Sequence, residues 1–240
     1  MLGKRGARAS GLRAPSKSVV PKKKARNVDY KPTFRLSVMK NPHSNAFLHN
    51  LRCKMIYVEP ITLNPAAASV ATYVFSANGL YDPNITGSGH QPTGFDQMTA
   101  LYGEYVVVGA NCKVTFQNTA TTAGTACMFG VYLSRTTSTA SIGYTYLENG
   151  NCVYTTAEYN GTGSSVKVLN YSCDMSKEAS TDITKDEGYS GTGSANPAEQ
   201  RFFFVWACPL DFASDLGAQT ALVEITYDVI WRDRQNTDTS

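Results

Sequence analysis

Arg201-Phe-Phe-Phe-Val-Trp-Ala-Cys208 and the alternating stretch from Ala221 to Trp231 decide the fold class of this chain. The first stretch is apolar on both faces of an extended backbone. In the second, every second residue is apolar, which is typical of a half-buried strand. A strand buried on both faces and a second, long strand belong in the middle of a sizeable all-β domain. The apolar face of the second strand holds Ala221, Val223, Ile225, Tyr227, Val229 and Trp231.

The composition favours a single all-β unit. The chain has 240 residues, of which 42% are hydrophobic, and all-β domains of this size often form one unit. Residues that favour strands are common, there are 19 Gly and 10 Pro, and no long stretch has the 3.6-residue period of a helix. We therefore expect one folded domain in which helix is a minor component.

Eight strands are predicted along this domain. Pro60 indicates a bulge or an edge position in the first, the third is expected to be broken or bulged near Gly109-Ala110-Asn111, and a short helix is predicted at 95–101. Eight antiparallel strands with long end loops indicate a two-sheet jelly-roll sandwich, because an immunoglobulin sandwich would be shorter. The predicted strands are 53–62, 70–77, 104–116, 125–134, 151–158, 165–174, 201–208 and 219–232.

The charges are distributed unevenly along the chain. Residues 1–40 contain twelve basic residues and one acid, a net charge of +11, whereas 41–240 contain ten basic and eighteen acidic residues, a net charge of −8. Because the first segment is rich in Lys, Arg, Ala, Ser, Gly and Pro and has few large apolar side chains before Val28, it cannot repay the entropy of ordering. We predict a disordered basic arm, 1–40, attached to a β domain, 41–240, and a polyanionic partner, most often nucleic acid. The predicted nucleic-acid-binding residues are Lys4, Arg5, Arg8, Arg13, Lys17, Lys22, Lys23, Lys24, Arg26, Lys31 and Arg35.

Two features of the arm suggest more specific roles. The cluster Pro21-Lys22-Lys23-Lys24-Ala25-Arg26 matches the pattern of a nuclear localisation signal, and it is equally well explained as additional arm charge. Tyr30 and Phe34 are candidates for stacking on bases, with packing against the inner surface of an assembly as the preferred alternative.

Two long loops, 78–97 and 176–200, are the natural suppliers of contacts between subunits, because loops of this length inside a compact domain are usually functional. We read the second as a long exposed loop. His90, Gln91 and Phe95 are the candidate interface residues, with burial of Phe95 in its own loop as an equally good account. Loop acids suggest Ca²⁺ between subunits, but ordinary solvation is the preferred reading and no metal site is predicted. These acids are Asp82, Asp96, Asp182, Asp186 and Glu187.

Several classes of protein are disfavoured. The six cysteines form no Cys-x-x-Cys pair, which indicates reduced and mostly buried thiols. Only three histidines are present, and there is neither a nucleophile elbow nor a phosphate-binding glycine loop. We therefore predict neither an enzyme nor a cofactor. No secretory signal and no long apolar stretch occur, which predicts a cytosolic or nuclear protein without membrane insertion.

Four features together carry a resemblance to a known family. They are the basic arm, the loop Gly-His-Gln-Pro-Thr-Gly-Phe-Asp-Gln from residue 89 to 97, the strand Leu-Tyr-Gly-Glu-Tyr-Val-Val-Val-Gly-Ala-Asn-Cys-Lys-Val-Thr-Phe from 101 to 116, and the terminal alternating strand. This combination resembles the capsid proteins of circular, Rep-encoding single-stranded DNA viruses, the circovirus-like group.

The resemblance implies a single jelly roll that self-assembles into a small icosahedral shell, with 60 copies expected, around a single-stranded DNA genome bound by the arms. It also implies a virion protein that passes through the host nucleus and cytoplasm and contacts an import receptor. Three alternatives stay open: the capsid of a small RNA virus, a jelly-roll lectin that binds carbohydrate, and a monomeric cellular nucleic-acid-binding β protein.

Overall fold

The computed structural model describes residues 48–119, 126–158 and 165–235. Within these ranges the chain forms nine strands and three short helices. The helices are α1 (Phe95–Thr99), α2 (Tyr144–Glu148) and α3 (Met175–Ala179). The strands are β1 (Leu51–Leu63), β2 (Ala71–Ser76), β3 (Tyr102–Asn118), β4 (Cys127–Ser134), β5 (Cys152–Ala157), β6 (Ser165–Asp174), β7 (Ser190–Thr192), β8 (Phe202–Pro209) and β9 (Gln219–Arg234).

The strands form two antiparallel sheets with jelly-roll connectivity. One sheet has the order β1-β9-β3-β6, with the short β7 also paired to β3, and the other has the order β2-β8-β4-β5. This interleaving of early and late strands in two facing sheets is the jelly-roll arrangement. The eight predicted strands are confirmed, and β7 is an addition to them. The two stretches that decided the fold class, in β8 and β9, occupy central positions as expected.

Each sheet contributes one face to a common core. The alternating residues of β9, including Val223, Tyr227 and Trp231, are fully buried between the sheets. β8 is buried along its whole length because it belongs to two apolar clusters. Phe203 and Val205 face the common core, whereas Phe204 and Trp206 pack on the outer side of their sheet. The uninterrupted apolar run in β8 therefore reflects burial on both faces.

Three local predictions are confirmed. The pairing of β3 with β9 shifts between Val107 and Gly109, which is the predicted bulge. Pro60 lies in β1, the end strand of its sheet, where a missing backbone N–H is tolerated. The helix predicted at 95–101 corresponds to α1.

The reading of 176–200 as a long exposed loop is wrong. This segment contains most of α3, two 3-10 turns (Ile183–Lys185 and Glu187–Tyr189) and β7, and it buries Ile183 and Tyr189. Two acids of this segment, together with the aspartate just before it, serve as caps of these short elements. Asp174, Asp182 and Asp186 each accept a hydrogen bond from a backbone N–H of the turn that follows.

No helix in the described part of the chain is both long enough and apolar enough to cross a membrane.

Candidate assembly surface and nucleic-acid arm

The arm lies outside the described residues. All eleven predicted nucleic-acid-binding residues, the 21–26 cluster, Tyr30 and Phe34 fall within residues 1–47, so their roles stay predictions. The predicted interface residues lie in the segment between β2 and β3, which the structure describes completely.

This connecting segment, the 77–94 loop, is fixed to β1 through one carboxylate. The Asn84 side chain donates hydrogen bonds to both carboxylate oxygens of Glu59, each at 2.9 Å, and the Tyr57 hydroxyl donates to the same carboxylate. The amide oxygen of Asn84 accepts from the backbone N–H groups of Thr86 and Gly87 at 3.1 and 2.9 Å. Glu59 therefore holds a loop that lies far from it in sequence.

His90 lies at the surface in a defined position. Its ring stacks on Tyr57 with 4.6 Å between ring centroids. Burial, assisted by the Glu59 carboxylate, raises the pKa of Tyr57 well above its ordinary value, so the phenol stays protonated and keeps donating. The exposed imidazole therefore has a defined position at the protein surface.

Gln91 and Phe95 have different environments. The half-buried Gln91 side chain donates to the carbonyl oxygen of Tyr81 at 3.2 Å. Phe95 is only 1% exposed and packs against Tyr105 and Trp231, with 5.9 Å between ring centroids in each pair. Phe95 is therefore a core residue of the protomer, in agreement with the alternative account, and it offers no surface for an interface. His90 and Gln91 remain the interface candidates.

The two segments predicted to supply subunit contacts lie side by side. The Asn196 amide oxygen accepts from the backbone N–H groups of Tyr81 and Asp82 at 3.1 and 3.2 Å, and its amide nitrogen donates to the Asp82 carbonyl at 2.9 Å. The Asn78 side chain bonds the Glu199 carbonyl and the Arg201 N–H, each at 2.9 Å. The 77–94 loop and residues 180–200 therefore form one continuous surface, which we call the loop surface. Nothing in the sequence predicted that these two segments lie next to each other.

Two arginines that the sequence analysis did not identify stabilise the loop surface through hydrogen bonds. Arg201 is buried and donates to the Tyr189 hydroxyl at 2.8 Å. Arg232 donates to the Glu104 carboxylate at 2.9 Å and to the Thr184 carbonyl at 2.6 Å. Both guanidinium groups tie residues 180–200 to the sheets. Such contacts join distant parts of the chain, so only the folded structure reveals them.

The loop acids act on their own backbone. Asp182 accepts from the Thr184 hydroxyl and pairs with Lys185 at 2.9 Å, and these contacts lower the pKa of Asp182 to about 2. Asp186 accepts from the backbone N–H of Gly188 at 2.9 Å. Within the described ranges, no group of three or more His, Cys, Asp or Glu side chains is placed to hold a metal ion. Capping accounts for Asp182 and Asp186 without a ligand.

The outer face of the five-stranded sheet carries both charged side chains and exposed apolar ones. Its charged groups include the pair Lys113 and Glu224, whose side chains meet at 2.5 Å. Exposed apolar side chains occupy both edges and the centre of this outer face. They are Ile56 and Val58 on β1, Val166 and Val168 on β6, and Leu222 on β9. An exposed apolar patch of this kind often marks an interaction site.

Comparison with known proteins gives similar structures but no related sequence. No family model and no curated protein matches the chain. Similar solved structures are those of viral capsids. The 60-mer BFDV capsid protein has a TM-score of 0.44 and 8% identity over 81% of this chain and 100% of its own. Mud crab tombus-like virus has a TM-score of 0.42 and 15% identity over 83% of this chain and 96% of its own. Turnip Yellow Mosaic Virus has a TM-score of 0.39 and 11% identity over 79% of this chain and 97% of its own.

At such low identities and TM-scores, the likenesses carry no argument about function, and they do not single out the circovirus-like group. The fold assignment rests on the strand order within the two sheets.

Proposed function

We propose that this chain is a viral capsid protein that self-assembles into a small icosahedral shell and packages a single-stranded DNA genome through its basic arm. The observation that carries the proposal is the attachment of a +11 segment to a −8 domain with jelly-roll topology. A basic arm on a neutral or basic domain would fit many nucleic-acid-binding proteins. A strongly acidic domain instead repels phosphate, so the arm alone must face the nucleic acid.

Binding by the arm is independent of base sequence. Lys and Arg side chains neutralise phosphates and release counterions, but they read no base edges when they contact only the backbone. This suits a protein that must cover a whole genome rather than one site. Tyr30 would add a stacking contact at the end of the arm nearest the β domain.

Lateral contacts in the shell are assigned to the loop surface. His90 and Gln91 are held in place by Tyr57 and by the Tyr81 carbonyl, so little conformational entropy is lost when another copy binds them. Sixty copies per shell are proposed, in line with the simplest icosahedral arrangement.

Nuclear import is proposed for the 21–26 cluster, whose lysines an import receptor would recognise. Replacing Lys22, Lys23 and Lys24 by Ala in a fluorescent fusion should leave the protein in the cytoplasm. Unchanged nuclear accumulation of this variant would refute import through the cluster while leaving the packaging proposal intact.

Deletion of residues 1–35 tests the packaging role. The truncated protein should keep its β domain folded but lose nuclease-protected nucleic acid, because the phosphate-neutralising charges are gone. The measurement is circular dichroism together with digestion of purified particles by DNase and RNase. A full-length variant with the eleven cations of residues 1–35 replaced by Gln controls for the loss of chain length. Particles of the truncated protein that still protect nucleic acid would overturn the proposal, and protection of RNA alone would favour the capsid of an RNA virus.

A further inference from the structure

The first strand has a long free edge. Only β9 pairs with β1 in the described part of the chain, so the other edge of β1 carries backbone N–H and C=O groups without a strand partner. Natural proteins usually shorten, charge or cover such an edge, since it is a template for pairing with another chain. β1 is thirteen residues long and its outer side is apolar in the middle, where Ile56 is 57% and Val58 is 40% exposed.

A groove runs along this edge. It has a volume of about 370 Å³ and is lined by Lys54, Met55, Ile56 and Val58 on one side and by His90 and Thr93 on the other. In the described part of the chain, no hydrogen bond between two backbone groups joins the 77–94 loop to β1. Pro60 closes the usable edge at one end because it has no N–H to offer. The free edge therefore accommodates an extended segment of about six residues opposite residues 54–59.

The chain contains a segment that fits this edge. Residues 33–38 read Thr-Phe-Arg-Leu-Ser-Val, in which Phe34, Leu36 and Val38 alternate with polar residues. Pro32 and Pro42 bound the segment. Alternation over six residues between two prolines predicts a strand, and its apolar face complements Ile56 and Val58 as cross-strand neighbours.

We propose that residues 33–38 of one copy add as a strand to the free edge of β1 in a neighbouring copy. One observation favours a neighbouring copy over the same chain. The Tyr102 hydroxyl at the start of β3 donates to the Leu48 carbonyl at 3.0 Å, so the chain enters β1 from the side of β3, away from the free edge.

This inference rests on the proposed self-assembly and extends it. Strand exchange would anchor the arm at its end nearest the β domain, leaving residues 1–32, with ten of the twelve arm cations, for nucleic acid. Main-chain hydrogen bonds supply the affinity in such strand addition, and the alternating side chains supply the register.

Disulfide trapping in the full-length protein tests the exchange. Leu36→Cys combined with Ile56→Cys should give chains linked to one another on a non-reducing gel after mild oxidation. Leu36→Cys with Val166→Cys is the control, because Val166 is equally exposed, at 56%, but lies on β6 at the opposite edge of the sheet. The wild-type protein shows how much crosslinking arises from its native cysteines alone.

A second variant separates pairing from mere proximity. Adding Ser37→Pro and Val38→Pro to the trapping pair should abolish the interchain band, because neighbouring N–H groups point to opposite sides of a strand and one of them must face β1. Ser18→Pro with Val19→Pro, the same dipeptide elsewhere in the arm, should leave the band unchanged.

The outcomes distinguish this inference from the proposed function. A crosslink within one chain, or assembled particles without an interchain band, would overturn the exchange and leave the shell proposal standing. Absence of both particles and crosslinks would overturn both.

Discussion

At the scale of single residues, two glycines are required by the aromatic residues opposite them. Gly130 in β4 pairs with Trp206 in β8, and a Cβ added at Gly130 would lie 2.3 Å from the indole ring. Gly191 in β7 pairs with Tyr105 in β3, where an added Cβ would lie 2.2 Å from the phenol ring. In both pairs the ring lies over the glycine and fills the space that a side chain would occupy. The glycines thus allow large aromatic residues in the middle of the sheets.

Substitution of Gly130 by Ala should destabilise the β domain by about 1–3 kcal/mol, because the added methyl group overlaps an indole that is fully buried and cannot withdraw. The measurement is urea unfolding followed by tryptophan fluorescence. Gly87→Ala in the exposed part of the 77–94 loop is the matched control, and it should change stability much less. Equal stability of the Gly130→Ala variant and the wild-type protein would show that Trp206 can be displaced without cost.

At the scale of elements, the segment around α2 covers the outer face of the four-stranded sheet. Tyr146 of α2 packs against Trp206 and Phe204, with 5.7 and 5.9 Å between ring centroids. Its hydroxyl accepts from the backbone N–H of Ala140 at 2.9 Å and lies 3.3 Å from the Thr72 hydroxyl. One tyrosine therefore fastens the connection between β4 and β5 onto the sheet.

Two substitutions separate the contributions of this tyrosine. Tyr146→Phe should cost about 1 kcal/mol, since the ring stays and the Ala140 N–H loses its acceptor. Tyr146→Ala should cost about 3–5 kcal/mol, because an aromatic ring is removed from a packed cluster. Chemical denaturation gives both values. Increased binding of a hydrophobic dye by the Ala variant but not by the Phe variant is also expected, and the opposite order would contradict a covering role for α2.

At the scale of the whole molecule, the separation of charge is the basis of the proposed packaging role. The acidic domain carries −8 and the arm +11. If the arm binds nucleic acid as proposed, phosphate contacts concentrate in a segment of forty residues, and affinity should depend strongly on salt because each contact releases condensed counterions.

The logarithm of the binding constant for single-stranded DNA should fall with the logarithm of salt concentration at a slope of about −8. This value assumes that all eleven net charges of the arm neutralise phosphates and that each contributes about −0.7 to the slope. Replacing the four cations of the 21–26 cluster by Gln should make the slope less steep by about 3. Fluorescence anisotropy titrations over a range of NaCl concentrations measure both slopes. A slope near zero for the wild-type protein would contradict binding through the arm.

Much of the architecture follows from local chemistry. The alternation in β9, the doubly apolar run of β8, the bulge at Gly109 and the edge position of Pro60 were all predictable, because side-chain periodicity and backbone constraints act within a few residues. The reading of 176–200 failed because Gly, Ser and Asp are typical of exposed loops and also of capped turns. Burial of Ile183 and Tyr189 distinguishes the two, and burial is not a local property.

The sequence by itself determined the all-β class, the eight long strands and the segregation of charge into the arm, since each depends on residue type, order and period along the chain. Only the tertiary structure decided that Phe95 belongs to the core, that Asn196 joins two loops into one surface, and that one edge of β1 has no strand partner among the described residues. These features depend on contacts between residues far apart in sequence, and the strand order that creates them results from packing two sheets around one core.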